Sequence, residues 1–576
     1  EGHLVRRMEE AVDGEYQVFK SRDGAYVREH FFGTNPELAR MVEDWSDSDI
    51  WSLNRGGHDP HKVYAAYAQA VAHTGQPTVI LAKTIKGYGM GESGEGQNIT
   101  HQAKKMTEKA LFAFRDRFGL NLSDEAVQKA AFHKPPDDSP EMAYLLERRR
   151  ELGGGLPQRR VTAAPLPIPE LPTFKTQLDG TGEREISTTM AFVRILSTLL
   201  RDKQLGPHVV PIVPDESRTF GMEGMFRQLG IFSQVGQLYT PQDAEQLMSY
   251  REDKHGQILQ EGINEPGAFS SWIAAATSYA NHGVSMVPFY IYYSMFGFQR
   301  VGDLAWAAGD SRARGFLLGG TAGRTTLNGE GLQHEDGHSH VQASLIPNCV
   351  AYDPAYAYEL AVIVHDGLRR MVAEHEDVFY YVTVMNENYA QPAMPDGAEE
   401  GILRGMHRVA AAPSGTAQVR LLGSGTILRE VLAGAELLRE DFGVEADVWS
   451  VTSFTELRRD GMAVERRNRL HPTAEPERAY VEQCLGGADG APVVAATDYI
   501  RTLADGIRPW VRAPYTVLGT DGFGRSDYRR ALRSFFEIDR HHVAVAALHD
   551  LGRHADAAAA IERYGIDPDT EAPWRR

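Results

Sequence analysis

The stretch Val209-Val210-Pro211-Ile212-Val213-Pro214-Asp215-Glu216-Ser217-Arg218 sets the reading of the chain. Its first five residues read as a short β-branched strand, and two carboxylates follow directly at the strand's carboxyl end. Upstream, Thr188 to Leu200 has the apolar spacing of an amphipathic helix, and downstream Val287-Pro288-Phe289-Tyr290-Ile291-Tyr292-Tyr293 reads as a second, aromatic-rich strand. The alternation recurs towards the C-terminus, where Val419 to Leu422 is a strand, Ile427 to Arg439 a helix and Ala446 to Val451 another strand. Towards the N-terminus a helix over Lys62 to His73 precedes a short strand expected at Thr78-Val79-Ile80-Leu81. Strands and helices in alternation build parallel sheets covered on both faces, an α/β class in which ligands gather at loops beyond the strands' carboxyl ends.

At 576 residues the chain exceeds one core and is expected to hold about three domains. Two breaks divide it. Lys134 to Thr173 is rich in proline and carries Gly153-Gly154-Gly155, which is linker chemistry, and Gln391 to Gly397 is a weaker break. Three parallel-sheet α/β domains are expected, over 1–160, 174–390 and 400–576. With 42% hydrophobic and 24% charged residues the chain can bury several cores. A net charge of −18 argues against nucleic acid as a partner. Two cysteines, Cys349 and Cys484, supply neither a disulfide framework nor a Cys-rich zinc site, and fit a reducing cytoplasm. No run is long and apolar enough to span a membrane, and none is expected to do so. The chain opens Glu1-Gly2-His3-Leu4 without an initiator Met or an apolar leader, and is expected to begin inside a domain.

Four clusters carry candidate chemistry. Lys83 to His101 holds five glycines with Lys86 and His101, a composition that suits either a mobile lid bearing a catalytic histidine or a plain surface loop. Asp215 and Glu216, at a strand's carboxyl end, suit either acid–base work or capping of the next helix. Glu261-Gly262-Ile263-Asn264-Glu265 stands at the entrance to an apolar helix over Ala268 to Ala280, where a carboxylate is an ordinary dipole partner. In Gly329 to His340, His334 to His338 spells H-E-x-x-H, the zinc-protease pattern, with Glu359 as a third ligand. That pattern needs both imidazoles on one helical face, and Asp336-Gly337 between them makes a helix improbable.

Taken together these clusters resemble the homodimeric pyruvate dehydrogenases of bacterial 2-oxo acid dehydrogenase complexes. The resemblance runs from near Tyr16 to the C-terminus, through Asp44 to His58, Lys86 to His101, Asp215 to Gln242, Glu261 to Glu265, Phe289 to Leu304, Gly319 to His340 and Thr520 to Asp527. It is most specific in Thr325-Thr326-Leu327-Asn328-Gly329-Glu330-Gly331-Leu332-Gln333-His334. It implies a transketolase-like thiamine diphosphate-binding architecture and oxidative decarboxylation of pyruvate, followed by reductive acetylation of the lipoyl domain of dihydrolipoyl acetyltransferase by a homodimer. Glu265 resembles the glutamate that hydrogen-bonds N1′ of the cofactor's aminopyrimidine and relays its proton. Ile263 resembles the residue that keeps the cofactor folded, and Tyr293 with Phe296 the aromatic wall around the pyrimidine. His334, Glu216 and Lys86 resemble residues facing the substrate, and His101 the histidine required for acetyl transfer. His338 and His340 are read as structural. The family's Gly-Asp-Gly…Asn pattern for Mg²⁺ and the diphosphate is missing from the sequence. Residues 1–160 resemble the latter part of the family's first domain, so no metal ligand is expected within this chain. A transketolase and an inactive dimerisation module are the rival readings.

Overall fold

The computed structural model describes residues 2–53, 56–155, 161–214, 217–486 and 490–576. The chain divides into two compact units, Glu1–Pro157 and Gln158–Arg576.

The first unit is helical. Its small core packs Phe19, Phe31, Phe32, Leu38, Val42 and Ile50, with the Phe19 and Phe31 rings edge to face at 5.5 Å. Helix α1, Pro60–Ala72, starts where Asp59 accepts hydrogen bonds from the His61 and Lys62 amides, with proline in its first turn where a missing N–H costs nothing. Tyr64, Tyr67 and Val71 on this helix are exposed. The strand expected at Thr78–Leu81 does not form. A strand exists only by pairing its backbone, and among the described residues of this unit no segment forms a strand, while Val79 and Leu81 stand 81% and 92% exposed. The proline-rich stretch is not all linker either. Pro140–Glu151 is a helix capped by Ser139, and Pro140 occupies its first turn.

Among its described residues the second unit holds two large sheets, besides two short pairings, Glu185–Ile186 with Tyr389–Ala390 and Ile231–Phe232 with Glu252–Asp253. In the first, strands β1 (Val209–Val213), β2 (Leu259–Gln260), β3 (Val287–Tyr293), β4 (Phe316–Gly320), β5 (Cys349–Tyr352) and β6 (Phe379–Thr383) lie in the order β2-β1-β3-β4-β6-β5, all parallel. Every residue of β1 and β4 is buried, which explains their uninterrupted apolar sequence. Helix α2, Thr188–Arg201, is capped by Ser187 and buries Ala191, Phe192, Ile195, Leu196 and Leu199 in the adjoining core. In the second sheet, β7 (His407–Ala410), β8 (Val419–Gly423), β9 (Ala446–Ser450), β10 (Val493–Ala496) and β11 (Tyr515–Leu518) lie in the order β7-β9-β8-β10-β11. Only β7 runs antiparallel to its neighbour. Among the described residues no helix is long and apolar enough to cross a membrane.

Buried polar groups join the two sheets. Asp353, just past β5, donates its amide to the Thr452 carbonyl at 2.7 Å, and its carboxylate accepts from Thr383 at 2.7 Å and from the Tyr499 hydroxyl at 3.3 Å. Burial, with the Asp498 carboxylate adding to it, pushes Asp353 up to about 7. The folded state therefore keeps a proton that the unfolded chain releases near pH 4. This contribution to stability is full below pH 4 and is lost as pH rises through about 7. Between pH 5 and 8 the loss is on the order of 3 kcal/mol. Urea unfolding of Asp353→Asn should show a smaller decline over that range than the parent chain, and identical slopes would refute the assignment.

Candidate functional site

Strands β2, β1, β3 and β4 are adjacent and parallel, so their carboxyl ends open onto one edge of the sheet. Past β2 the chain turns through Glu261 and Gly262 into helix α3, Glu265–Ala276. Asn264 caps that helix by accepting from the Gly267 amide at 3.2 Å, and Glu265 occupies its first turn, 6% exposed. Two residues earlier Ile263 is 71% exposed, an apolar side chain held out to solvent beside a buried carboxylate. The expected apolar helix is shorter than its sequence suggests, stopping at Ala276 before a separate turn of helix over Ser278–Asn281.

Strand β3 delivers Tyr293 at its last position, and the 3₁₀ turn Ser294–Phe296 brings Phe296 back beside it, with ring centroids 5.8 Å apart. The long loop after β4 returns His334 to these rings, at 5.2 Å from Tyr293 and 5.1 Å from Phe296. Arg300, on helix α4 (Phe298–Asp310), links the aromatic group to Glu265. Its guanidinium lies 3.9 Å over the Phe296 ring and donates to Glu265 Oε1 at 2.7 Å. One continuous set of contacts thus joins Glu265, Arg300, Phe296, His334 and Tyr293. Burying a carboxylate costs much unless a cation meets it, and Arg300 fills that role. His334 Nδ1 is buried and has no hydrogen-bond partner among the described residues, and lies 3.6 Å from Glu330 Oε2. Arg300 was missed in the sequence because its partner lies 35 positions away. The available signal was an arginine set between Phe298 and Val301 at the start of a half-apolar helix.

The H-E-x-x-H stretch is not a helix. His334 ends the 3₁₀ turn Leu332–His334, while His338 precedes the helix Ser339–Ala343, whose first amides are held by Asp336. His334 lies against Tyr293 and Phe296, while the other two histidines have partners elsewhere. His338 Nε2 meets Gln299 at 2.8 Å and His340 Nε2 meets Thr383 at 2.9 Å, both structural contacts. Among the described residues no three His, Cys, Asp or Glu side chains are grouped to hold a metal ion. Glu216 lies outside the described residues.

Lys86 and His101 belong to the first unit. The loop that carries them is folded around a residue that sequence reading passed over, Glu95. Its buried carboxylate accepts from the Gly89 and Gly91 amides at 3.2 Å each and from Arg117 at 2.6 Å, with Lys20 at 3.6 Å. These cations and amides hold Glu95 below its ordinary value in spite of burial. All five glycines of the loop have positive φ, which explains their density there. Lys86 and His101 remain exposed, His101 at the end of the 3₁₀ turn Asn98–His101.

Residues 166–392 match the family described as Pyruvate dehydrogenase E1 component middle domain, and residues 405–539 the Transketolase-like TK C-terminal domain. The chain is 65% identical to the Pyruvate dehydrogenase E1 component of Pseudomonas aeruginosa, 61% to that of Cupriavidus necator and 56% to that of Escherichia coli K12. Each match covers 99% of this chain and 65% of the relative, so the chain spans a little under two thirds of the length of these proteins. Among solved structures, the transketolase of Campylobacter jejuni superposes with a TM-score of 0.58 at 16% identity, over 85% of this chain and 66% of that one. The transketolase of Leishmania mexicana superposes at 0.57 and 17% identity, over 87% and 66%. These likenesses show a transketolase-like α/β fold.

Proposed function

We propose that this chain, similar over 99% of its length to Pyruvate dehydrogenase E1 components, serves the thiamine diphosphate-dependent oxidative decarboxylation of pyruvate and the reductive acetylation of the lipoyl group of dihydrolipoyl acetyltransferase. The observation that carries this reading is the buried Glu265 carboxylate joined through Arg300 to the Phe296, His334 and Tyr293 rings at the carboxyl edge of a parallel sheet.

These residues fit the aminopyrimidine end of the cofactor. Glu265 offers an acceptor in a half-apolar setting and holds or returns a proton at ring N1′. Tyr293 and Phe296 would give the flat walls that an aromatic ring packs against, and Ile263, held out to solvent, would press a bound cofactor into a folded shape. Thiamine diphosphate, when bound, supplies the carbanion chemistry at its thiazolium C2. His334, whose buried Nδ1 has no hydrogen-bond partner among the described residues and lies 3.6 Å from Glu330, orients pyruvate, and Lys86 and Glu216 are assigned to the same task. His101 donates a proton to the lipoyl sulfur. We place the Mg²⁺ and diphosphate ligands outside residues 1–576, in keeping with the missing Gly-Asp-Gly pattern. The domain division 1–160, 174–390 and 400–576, a homodimer and a cytoplasmic location belong to the same reading.

The test sets it against the transketolase reading, which shares the fold. Supplied with thiamine diphosphate and Mg²⁺, holoenzyme containing this chain should reduce an artificial electron acceptor with pyruvate and not with a ketose phosphate. The reverse preference would return the transketolase reading.

A further inference from the structure

Glu335, the acid of the H-E-x-x-H stretch, takes no part in the function proposed above, yet it is fully buried beside His334. One carboxylate oxygen accepts from the Arg525 amide, which belongs to the loop following β11. The other oxygen is buried and has no hydrogen-bond partner among the described residues. The two loops are pressed together around this contact. A Cβ added at Gly524 would lie 2.7 Å from Glu335 Cβ and 2.9 Å from the Leu332 carbonyl, closer than side-chain atoms approach. Buried Arg324 reinforces the contact by donating to the Thr520 and Gly522 carbonyls, and at 3.4 Å to the Glu335 carbonyl. The Gly329 amide also donates to the Asp527 carbonyl at 3.3 Å.

We infer that Glu335 is a positioning residue, whose carboxyl group clasps the Arg525 amide and thereby seats the turn Leu332–His334 so that the His334 imidazole stays against Tyr293 and Phe296. Apart from the Arg324 and Gly329 contacts, the described hydrogen bonds of the turn are internal. Its internal hydrogen bonds are His334 N–H to Gly331 at 2.9 Å and Glu335 N–H to Leu332 at 3.3 Å, which shape the turn without anchoring it to the rest of the fold. A buried carboxyl group with one partner per side chain is costly to keep, and its retention here is explained by the anchor it provides. Burial pushes Glu335 up to about 7, against the Arg525 amide and Arg324, so the neutral acid is readily populated. A neutral carboxamide therefore reproduces the clasp.

The inference rests on the reading of His334 as a substrate residue, and the test separates the two. Histidine ring protons are followed by NMR, with the His334 signal identified by its loss in His334→Ala; the Tyr293 and Phe296 rings, centred 5.2 and 5.1 Å away, shift that signal from the free-histidine position. In Glu335→Ala the signal should move back towards the free position and kcat/KM for pyruvate should fall by about 10²-fold, as expected for a reacting group displaced by about 1 Å. Glu335→Gln should restore both. Gly524→Ala, which leaves the carboxyl group in place and forces the facing loop away, should repeat the Glu335→Ala result and serves if Glu335→Ala does not fold. An unchanged His334 signal in Glu335→Ala or Gly524→Ala overturns the clasp. A displaced signal with unaltered pyruvate kinetics upholds the clasp and removes His334 from the substrate.

Discussion

Glu265→Ala in the holoenzyme is expected to slow hydrogen exchange at C2 of the bound cofactor by about 10²- to 10⁴-fold, the range typical of a lost general acid–base group. The expectation follows from how the carboxylate is held. Glu265 is 6% exposed, fixed in the first turn of a helix that Asn264 caps, and joined at 2.7 Å to Arg300. Water cannot replace a group in that position without displacing the packing around it. Alanine leaves Arg300 without its carboxylate, adding an uncompensated cation beside the site, so Glu265→Gln is the cleaner companion. It keeps an acceptor for Arg300 while removing the ionisable group, and should share the exchange defect. The measurement is the rate of C2 proton loss in deuterated buffer, read by quenching and NMR. Unchanged exchange in both variants would take Glu265 out of the proton relay. Asp336 is unsuitable as a control, since it is fully buried and holds the first amides of the next helix, so its loss would act through folding.

His101→Ala should divide the two half-reactions. Decarboxylation followed with an artificial oxidant should keep most of its rate, while acetyl transfer to a lipoyl domain should fall by about 10²-fold or more. The imidazole is exposed at the end of a 3₁₀ turn, where a tethered group arriving from solvent can reach it, and imidazole is a side chain suited to donating a proton to the dithiolane sulfur. Glu265 lies at the opposite extreme, buried and fixed. Equal loss in the two assays would move His101 into the first step. Equal retention would make it a surface-loop histidine.

The strands Val209–Val213 and Val287–Tyr293 form over the residues their apolar runs predict, because a strand buried on both faces leaves an uninterrupted signal in sequence. Thr78–Leu81 has a similar run and forms no strand, since local composition does not report whether a neighbouring strand is there to pair with. Proline misled in the other direction at Pro140, which opens a helix as readily as it interrupts one. Tyr293, Phe296 and Glu265, which the fold brings into one set of contacts, could be singled out beforehand because each falls in a long, specific stretch of sequence. Arg300, Glu95 and Glu335 were not, because each takes its meaning from a partner far away: Glu265, Arg117 and Arg525 respectively. Their roles come from three-dimensional pairing that neither period nor motif encodes.

The hooks that bind the His334 loop to residues 520–525 end on main-chain atoms: the Thr520 and Gly522 carbonyls and the Arg525 amide. Main-chain atoms are the same whatever the residue, so this contact is blind to which side chains the C-terminal loop carries. The clasp itself thus depends on the course of the loop, while Thr520 and Asp521 are held separately through their side chains by Asp498 and Arg501. Two glycines also restrict the loop, Gly522 through its positive φ of 116° and Gly524 because any side chain there meets Glu335. For the clasp to His334, a domain borrowed from a relative would be accepted on the path of its backbone, with glycine kept at 522 and 524, before the identity of its other residues.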